Sequence, residues 1–151
     1  MACEDNLLAF GELLIDRLTE IIPDCITVPV LDLPEMDEIE IRCPTILVIY
    51  SGMNMPQGGG QAIRGALQKI EQRWLTVAAV PLSGLKGSGS IARKRAGDLM
   101  AKIADALQGY RFDGYSPLGQ ITPPGPRFLD NRAMFPLAWQ VEFSRNAKKV
   151  P

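Results

Sequence analysis

Apolar positions recur at intervals of three and four between residues 6 and 22: Leu7, Leu8, Gly11, Leu14, Ile15, Leu18, Ile21 and Ile22. That spacing predicts an amphipathic helix. Asp5 or Asn6 is placed to cap its start, and Pro23 to stop it. Cys25 to Val30 then reads as a short strand, and the acidic, proline-broken stretch 31–43 as an exposed loop. Pro44 opens the run Thr45-Ile46-Leu47-Val48-Ile49-Tyr50, closed by Ser51-Gly52. An unbroken apolar run of this length predicts a strand buried on both faces. Residues 53–68, rich in glycine, read as a loop.

The second half repeats the alternation of patterns. Ile70 to Val80 reads as a long strand, with Trp74, Thr76, Ala78 and Val80 on one face and Leu75, Val77 and Ala79 on the other. A Gly/Ser loop, 81–90, leads to a helix over 91–108 with the stripe Ala92, Ala96, Leu99, Met100, Ile103 and Leu107. Gly109 stands where a helix-ending glycine belongs. Residues 110–126 carry no regular pattern, and Arg127 to Leu129 reads as a short strand. Phe135, Leu137, Trp139, Val141 and Phe143 alternate strictly and define the last strand. The basic tail from Asn146 to Pro151 is expected to fray. Strands outnumber crossover helices, so the expected class is α+β: a mostly antiparallel sheet with two helices packed on one face. Trp74 and Trp139 fall on strand positions that point inward.

Length changes the picture little. The 151 residues suit one domain, 1–151, with enough chain for a real core. Charge changes it more. Residues 1–40 hold eleven Asp/Glu and one Lys/Arg, a formal charge of −10; residues 41–151 hold fifteen Lys/Arg and six Asp/Glu, or +9. The near-neutral total conceals this split. A chain with one acidic and one basic surface can bind copies of itself head to tail, and such contacts close into rings when the rotation allows.

Two local patterns sharpen that expectation. Glu12, Asp16 and Glu20 follow one another at steps of four on the polar side of the first helix. Each like-charge pair at that spacing costs about 0.2–0.5 kcal/mol in an isolated helix. Arg93, Lys94 and Arg95 open the second helix, with Lys86 just before them. The helix dipole disfavours cations there by about 0.3–1 kcal/mol each. Local conflicts of opposite sign in one chain mark surfaces meant for a partner. The acidic trio is therefore expected on one side of a subunit contact, and Lys86 with the basic trio on the other side or facing a phosphate backbone.

Other chemistry is sparse. The chain has no histidine, which removes Ser-His and Cys-His catalysis and His-bearing metal sites. Cys3, Cys25 and Cys43 show no Cys-x-x-Cys spacing and read as thiols of a reducing cytoplasm. Glu35, Asp37, Glu38 and Glu40 lack the EF-hand spacing and its loop glycine, so a solvated acidic loop is expected. Gly84 to Ala92 contains G-x-G-x-x-A between a strand and a helix, through Gly87 and Gly89. This offers an alternative class, a small nucleotide- or nucleic-acid-binding accessory protein using that loop and the neighbouring cations. The pattern belongs after the first strand of a parallel unit, however, and here it follows the third strand. Met53 and Met55, beside Pro56, offer an adaptable contact surface. The acidic start argues against a secretory signal, and no apolar stretch is long enough to span a bilayer.

The order of elements resembles the bacteriophage tail terminator proteins, the Mu-like group related in fold to the lambda minor tail protein U. The matching features are the amphipathic start Leu7 to Ile22, the strand ending Ile49-Tyr50-Ser51-Gly52, and the strand opening Arg73-Trp74-Leu75. They continue with the helix closing Leu107-Gln108-Gly109, then Phe128-Leu129, and finally Trp139-Gln140-Val141-Glu142-Phe143. The resemblance covers nearly the whole chain, although the loop before the second helix is more basic and richer in serine than the family pattern. It implies a structural virion protein without catalysis or cofactor, assembled in the host bacterial cytoplasm. Such proteins form a ring, hexameric by the resemblance, that caps the tail tube and stops its growth. The implied partners are further copies of itself, the tail tube protein, a head-completion or connector protein, and DNA crossing the lumen without sequence specificity. The loops carrying Met53 and Met55 would then reach the tube.

Overall fold

The structure is a computed structural model, and it describes residues 6–55, 67–82 and 88–146. Helix α1 spans Phe10–Ile21, strand β1 Ile26–Val30, helix α2 Leu33–Glu38 and strand β2 Thr45–Asn54. Strand β3 spans Leu67–Pro81, helix α3 Ser88–Leu107, strand β4 Gly119–Ile121, strand β5 Arg127–Leu129 and strand β6 Arg132–Asn146. The sheet runs β1-β2-β3-β6-β4, with β5 also pairing β6. Among the described strands only β1 and β2 are parallel; β3 is antiparallel to both of its neighbours. This is the expected α+β class.

Strand alternation decides what each face buries. Ile46 and Val48 of β2, Ile70, Trp74 and Ala78 of β3, and Leu137, Trp139, Val141 and Phe143 of β6 all turn to one side. There they meet Phe10, Leu14 and Leu18 of α1 and Leu99, Ile103 and Leu107 of α3. Two helices on one face is thus correct for α1 and α3. Leu47, Ile49, Leu75, Val77, Ala79, Met134 and Ala138 turn to the other side, under Met36 of α2. The apolar run of β2 is buried on both faces, as its sequence requires.

Two polar side chains inside the larger core are matched to the tryptophans. Gln72 is fully buried, accepts from Trp74 Nε1 at 3.1 Å and donates Nε2 to the Leu7 carbonyl at 2.6 Å. Thr76, also fully buried, accepts from Trp139 Nε1 at 2.9 Å. Gly11 completes the join. A Cβ placed there would stand 2.8 Å from the Trp74 ring, so only glycine lets α1 lie this close.

Several boundaries differ from the sequence expectation. The stretch 31–43 is not all loop, because residues 33–38 form α2. Asp32 caps it, accepting from Glu35 N at 2.9 Å, and the Glu35 carboxylate accepts in turn from Leu31 N. This is a variant of the reciprocal capping box. Helix α1 starts at Phe10, with Ala9 at its N-cap and no side-chain cap. Asn6 instead holds the turn before it, accepting from Leu8 N at 3.0 Å; Asp5 lies outside the described residues. The region 110–126 contributes β4, where Gln120 pairs with Trp139. Strand β2 runs on through Met53 and Asn54 past a bulge between Tyr50 and Gly52. Gly52 has φ of 131°, a conformation other residues resist. Gly109 takes φ of 73° and ends α3 as expected.

Candidate assembly surfaces

Helix α1 buries Phe10, Leu14 and Leu18, and on a 3.6-residue turn Glu12, Asp16 and Glu20 fall opposite them. All three carboxylates are exposed and make no ion pair among the described residues. The stripe thus stands free on the surface. The one cation of this quarter does not dilute it. Arg17 turns inward, donating Nε to the Ala106 carbonyl at 3.1 Å and stacking its guanidinium 3.7 Å from the centre of the Tyr110 ring. It fastens α1 to the C-terminal end of α3.

On α3 the structure corrects one premise. The helix begins at Ser88, so Arg93, Lys94 and Arg95 occupy its second turn rather than its first. The dipole penalty fades within the first turn, and these cations are therefore less costly than the sequence reading implied. All three are exposed, but they fan around the helix. Arg95 lines a crevice of about 290 Å³ with Ile22, Asp24, Cys25, Asp98 and Lys102. There the end of α1, which has no basic residue in its last turn, meets cations from α3. Lys94 points away from the body. Lys86 and the glycine loop 84–87 lie outside the described residues. The strand before that loop is antiparallel to both neighbours, so the parallel context of a dinucleotide loop is missing.

Cys25 sits in the same crevice. Its thiol donates to the Pro44 carbonyl at 3.1 Å. Burial pushes its pKa up, the nearby Cys43 adds to the rise, and a backbone hydrogen bond from Ile46 and the charge of Lys102 oppose it. A thiol held protonated in this way is a poor nucleophile.

Met53 and Met55 part company. Met53 lies in β2 opposite Gln72 and packs on the larger core, while Met55 is 38 % exposed beyond the strand end. Met55 is thus the more exposed of the two. The loop onward, 56–66, lies outside the described residues. Among the acids of 31–40, Asp37 forms an ion pair with Arg127 and Glu40 one with Arg42. Among the described residues no cluster brings together three metal ligands.

No local sequence pattern announces an apolar groove beside α2. Leu33 and Met36 face Pro124, Pro126, Met134 and Pro136 around about 280 Å³, on the side of the sheet away from α1 and α3. Farther along that side the sheet becomes polar. Lys69, Glu71 and Arg73 of β3 share a face with Gln140 and Glu142 of β6, and no helix among the described residues covers them. Lys69 reaches Glu142 at 3.7 Å, while Glu71 lies directly opposite Glu142.

What the molecule presents, then, is a set of surfaces: an acidic helix face, a basic helix face, an apolar groove and an extended strand pair. That is the equipment of a protein that works by assembling with others. A family model for phage tail terminator proteins matches residues 3–149, and the chain belongs to that family. It is a structural protein of the bacteriophage tail, and it acts together with other components of the virion. No curated protein matches it. No helix among the described residues is long and apolar enough to cross a membrane.

Proposed function

We propose that residues 1–151 form a single tail-terminator domain that assembles into a ring, six-membered by analogy with the Mu-like group. In this reading the ring caps the tail tube, stops its polymerisation and offers a joining surface to the head-completion protein. Assembly takes place in the host cytoplasm. DNA passes through the lumen, where exposed cations not engaged between subunits neutralise phosphate without reading sequence. Met55 and the loop after it contact the tube. The family match over residues 3–149 is the observation that carries this reading.

The charge split supplies a means of closing the ring. The acidic first quarter, through α1 with Glu12, Asp16 and Glu20 or through α2, meets the basic end of α3 on the next subunit. A head-to-tail contact needs two unlike patches, and these lie on different elements. Light scattering after size exclusion, at low and high salt, with and without purified tail tubes, tests the proposal. A ring-sized species that dissociates with salt supports it. A protein that stays monomeric at high concentration and low salt, and fails to bind tubes, refutes it.

A further inference from the structure

Four polar side chains are buried among the described residues: Thr45, Gln72, Thr76 and Arg132. A buried polar group is expected to find a hydrogen-bond partner. Three of them do, and Arg132 does not. Thr45 donates its hydroxyl to the Cys43 carbonyl at 2.9 Å, and Gln72 and Thr76 serve the two tryptophans. Arg132 is 6 % exposed, its Nε has no hydrogen-bond partner, and it forms no ion pair among the described residues. Other arginines are matched: Arg17 has the Ala106 carbonyl and the Tyr110 ring, and Arg127 has Asp37. Arg145 Nε is also unmatched, on a residue only half-buried.

Register explains the isolation of Arg132. It opens β6, between Pro81 of β3 and Leu129 of β5. Strand alternation turns it to the side of Met134, at the end of the core under α2. Ala79, Pro81, Leu129 and Met134 flank it on that face, and none carries a side-chain acceptor. Asp37, on the same side of the sheet, is held by Arg127. A buried charge without a counter-charge is destabilising, and an apolar side chain of similar volume would carry no such penalty. A local rule broken in this way marks a position that serves something outside the subunit. What satisfies a guanidinium best is an oxyanion that takes two of its N–H groups at once. So small an opening admits a single carboxylate or a phosphate-sized ion and keeps out the backbone of a duplex.

We infer that Arg132 anchors an oxyanion site at the end of the core under α2, filled by a free inorganic oxyanion or by a carboxylate side chain of a neighbouring chain. The two sources share one chemistry, a delocalised anion with two oxygens for the guanidinium fork.

The test melts the full-length protein, Arg132→Met and Arg132→Lys at one ionic strength, in chloride alone and with about 20 mM phosphate or acetate replacing part of it, and follows association by light scattering in the same buffers. A free ion that binds raises the melting temperature of the parent by about 3–5 °C, and Arg132→Met loses the whole rise. Arg132→Lys keeps the charge without the fork and retains less than half of the rise, which decides the matter should the methionine variant not fold. If a neighbour's carboxylate fills the site, neither ion shifts the parent, and Arg132→Met associates at least about tenfold more weakly while melting no lower than the parent. A parent that neither ion shifts, and whose association Arg132→Met leaves unchanged, overturns the inference. A rise of the same size in the parent and in Arg132→Met overturns it equally, because the ion then binds elsewhere.

Discussion

The face of the sheet under α1 and α3 and the face under α2 are filled by alternate residues of the same strands, yet their interiors differ in kind. Under the two long helices lie Phe10, Trp74, Tyr115, Trp139 and Phe143, with Phe10 and Tyr115 ring centres 4.8 Å apart and every buried tryptophan N–H matched to an acceptor. Under α2 lie Leu47, Val77, Ala79, Met134 and Ala138, smaller side chains covered by one and a half turns of helix. Halfway along, that cover ends and the strands turn polar. The first face is where the fold is secured. The second is thin enough to leave a groove.

The largest test of this contrast removes one large side chain from each face. Trp139→Ala deletes a fully buried ring and strands the Thr76 hydroxyl, so a loss of about 4–5 kcal/mol is expected in chemical denaturation. Met36→Ala, beside an existing groove, is expected to lose only about 2 kcal/mol. Equal losses would mean that the two faces hold the molecule equally. Next in size is Gly11→Ala. Its methyl would press on Trp74 and cost about 1–3 kcal/mol, although alanine is the better helix former. A gain in melting temperature would show that α1 has slack to move outward.

Asp32→Ala probes the thin face more gently. Loss of the cap bond to Glu35 N is expected to cost about 1 kcal/mol, read as faster amide exchange over residues 33–38 while α1 and α3 exchange as before. The smallest effect concerns pH. The folded Cys25 thiol holds its proton more tightly than the unfolded one. Its stabilising contribution is therefore whole below the ordinary thiol range and is lost as pH rises through the folded pKa. Cys25→Ser should flatten a slight decline in stability at alkaline pH; an unchanged profile would mean that the thiol contributes nothing there.

Much of this fold was legible because long elements repeat their pattern many times. Trp74, Thr76 and Ala78 on one face of β3, and Leu75, Val77 and Ala79 on the other, follow from alternation alone. Helix α2 escaped because six residues offer only one apolar step, Leu33 to Met36, and Pro34 resembles a breaker. Its signal was the pair Asp32 and Glu35, three apart, which announces a helix start whatever its length. The apolar spacing starts α3 three residues late because Ser88-Gly89-Ser90 is poor helix sequence, and that shift makes the basic trio look more costly than it is. The surface charges were visible as types; that Arg17 faces inward, and that a groove lies beside α2, depends on packing between distant segments that no local pattern encodes.

The β3–β6 ladder has a mechanical consequence. Fifteen residues of each strand are paired in unbroken register, from Leu67 with Asn146 to Pro81 with Arg132. At about 3.4 Å per residue this is a girder roughly 50 Å long. A pull directed along the strands loads its rungs together in shear, whereas a pull across them opens one rung at a time. A subunit oriented with this girder along the line of force would stay rigid under tension while its short elements, α2 and β4, remained free to give.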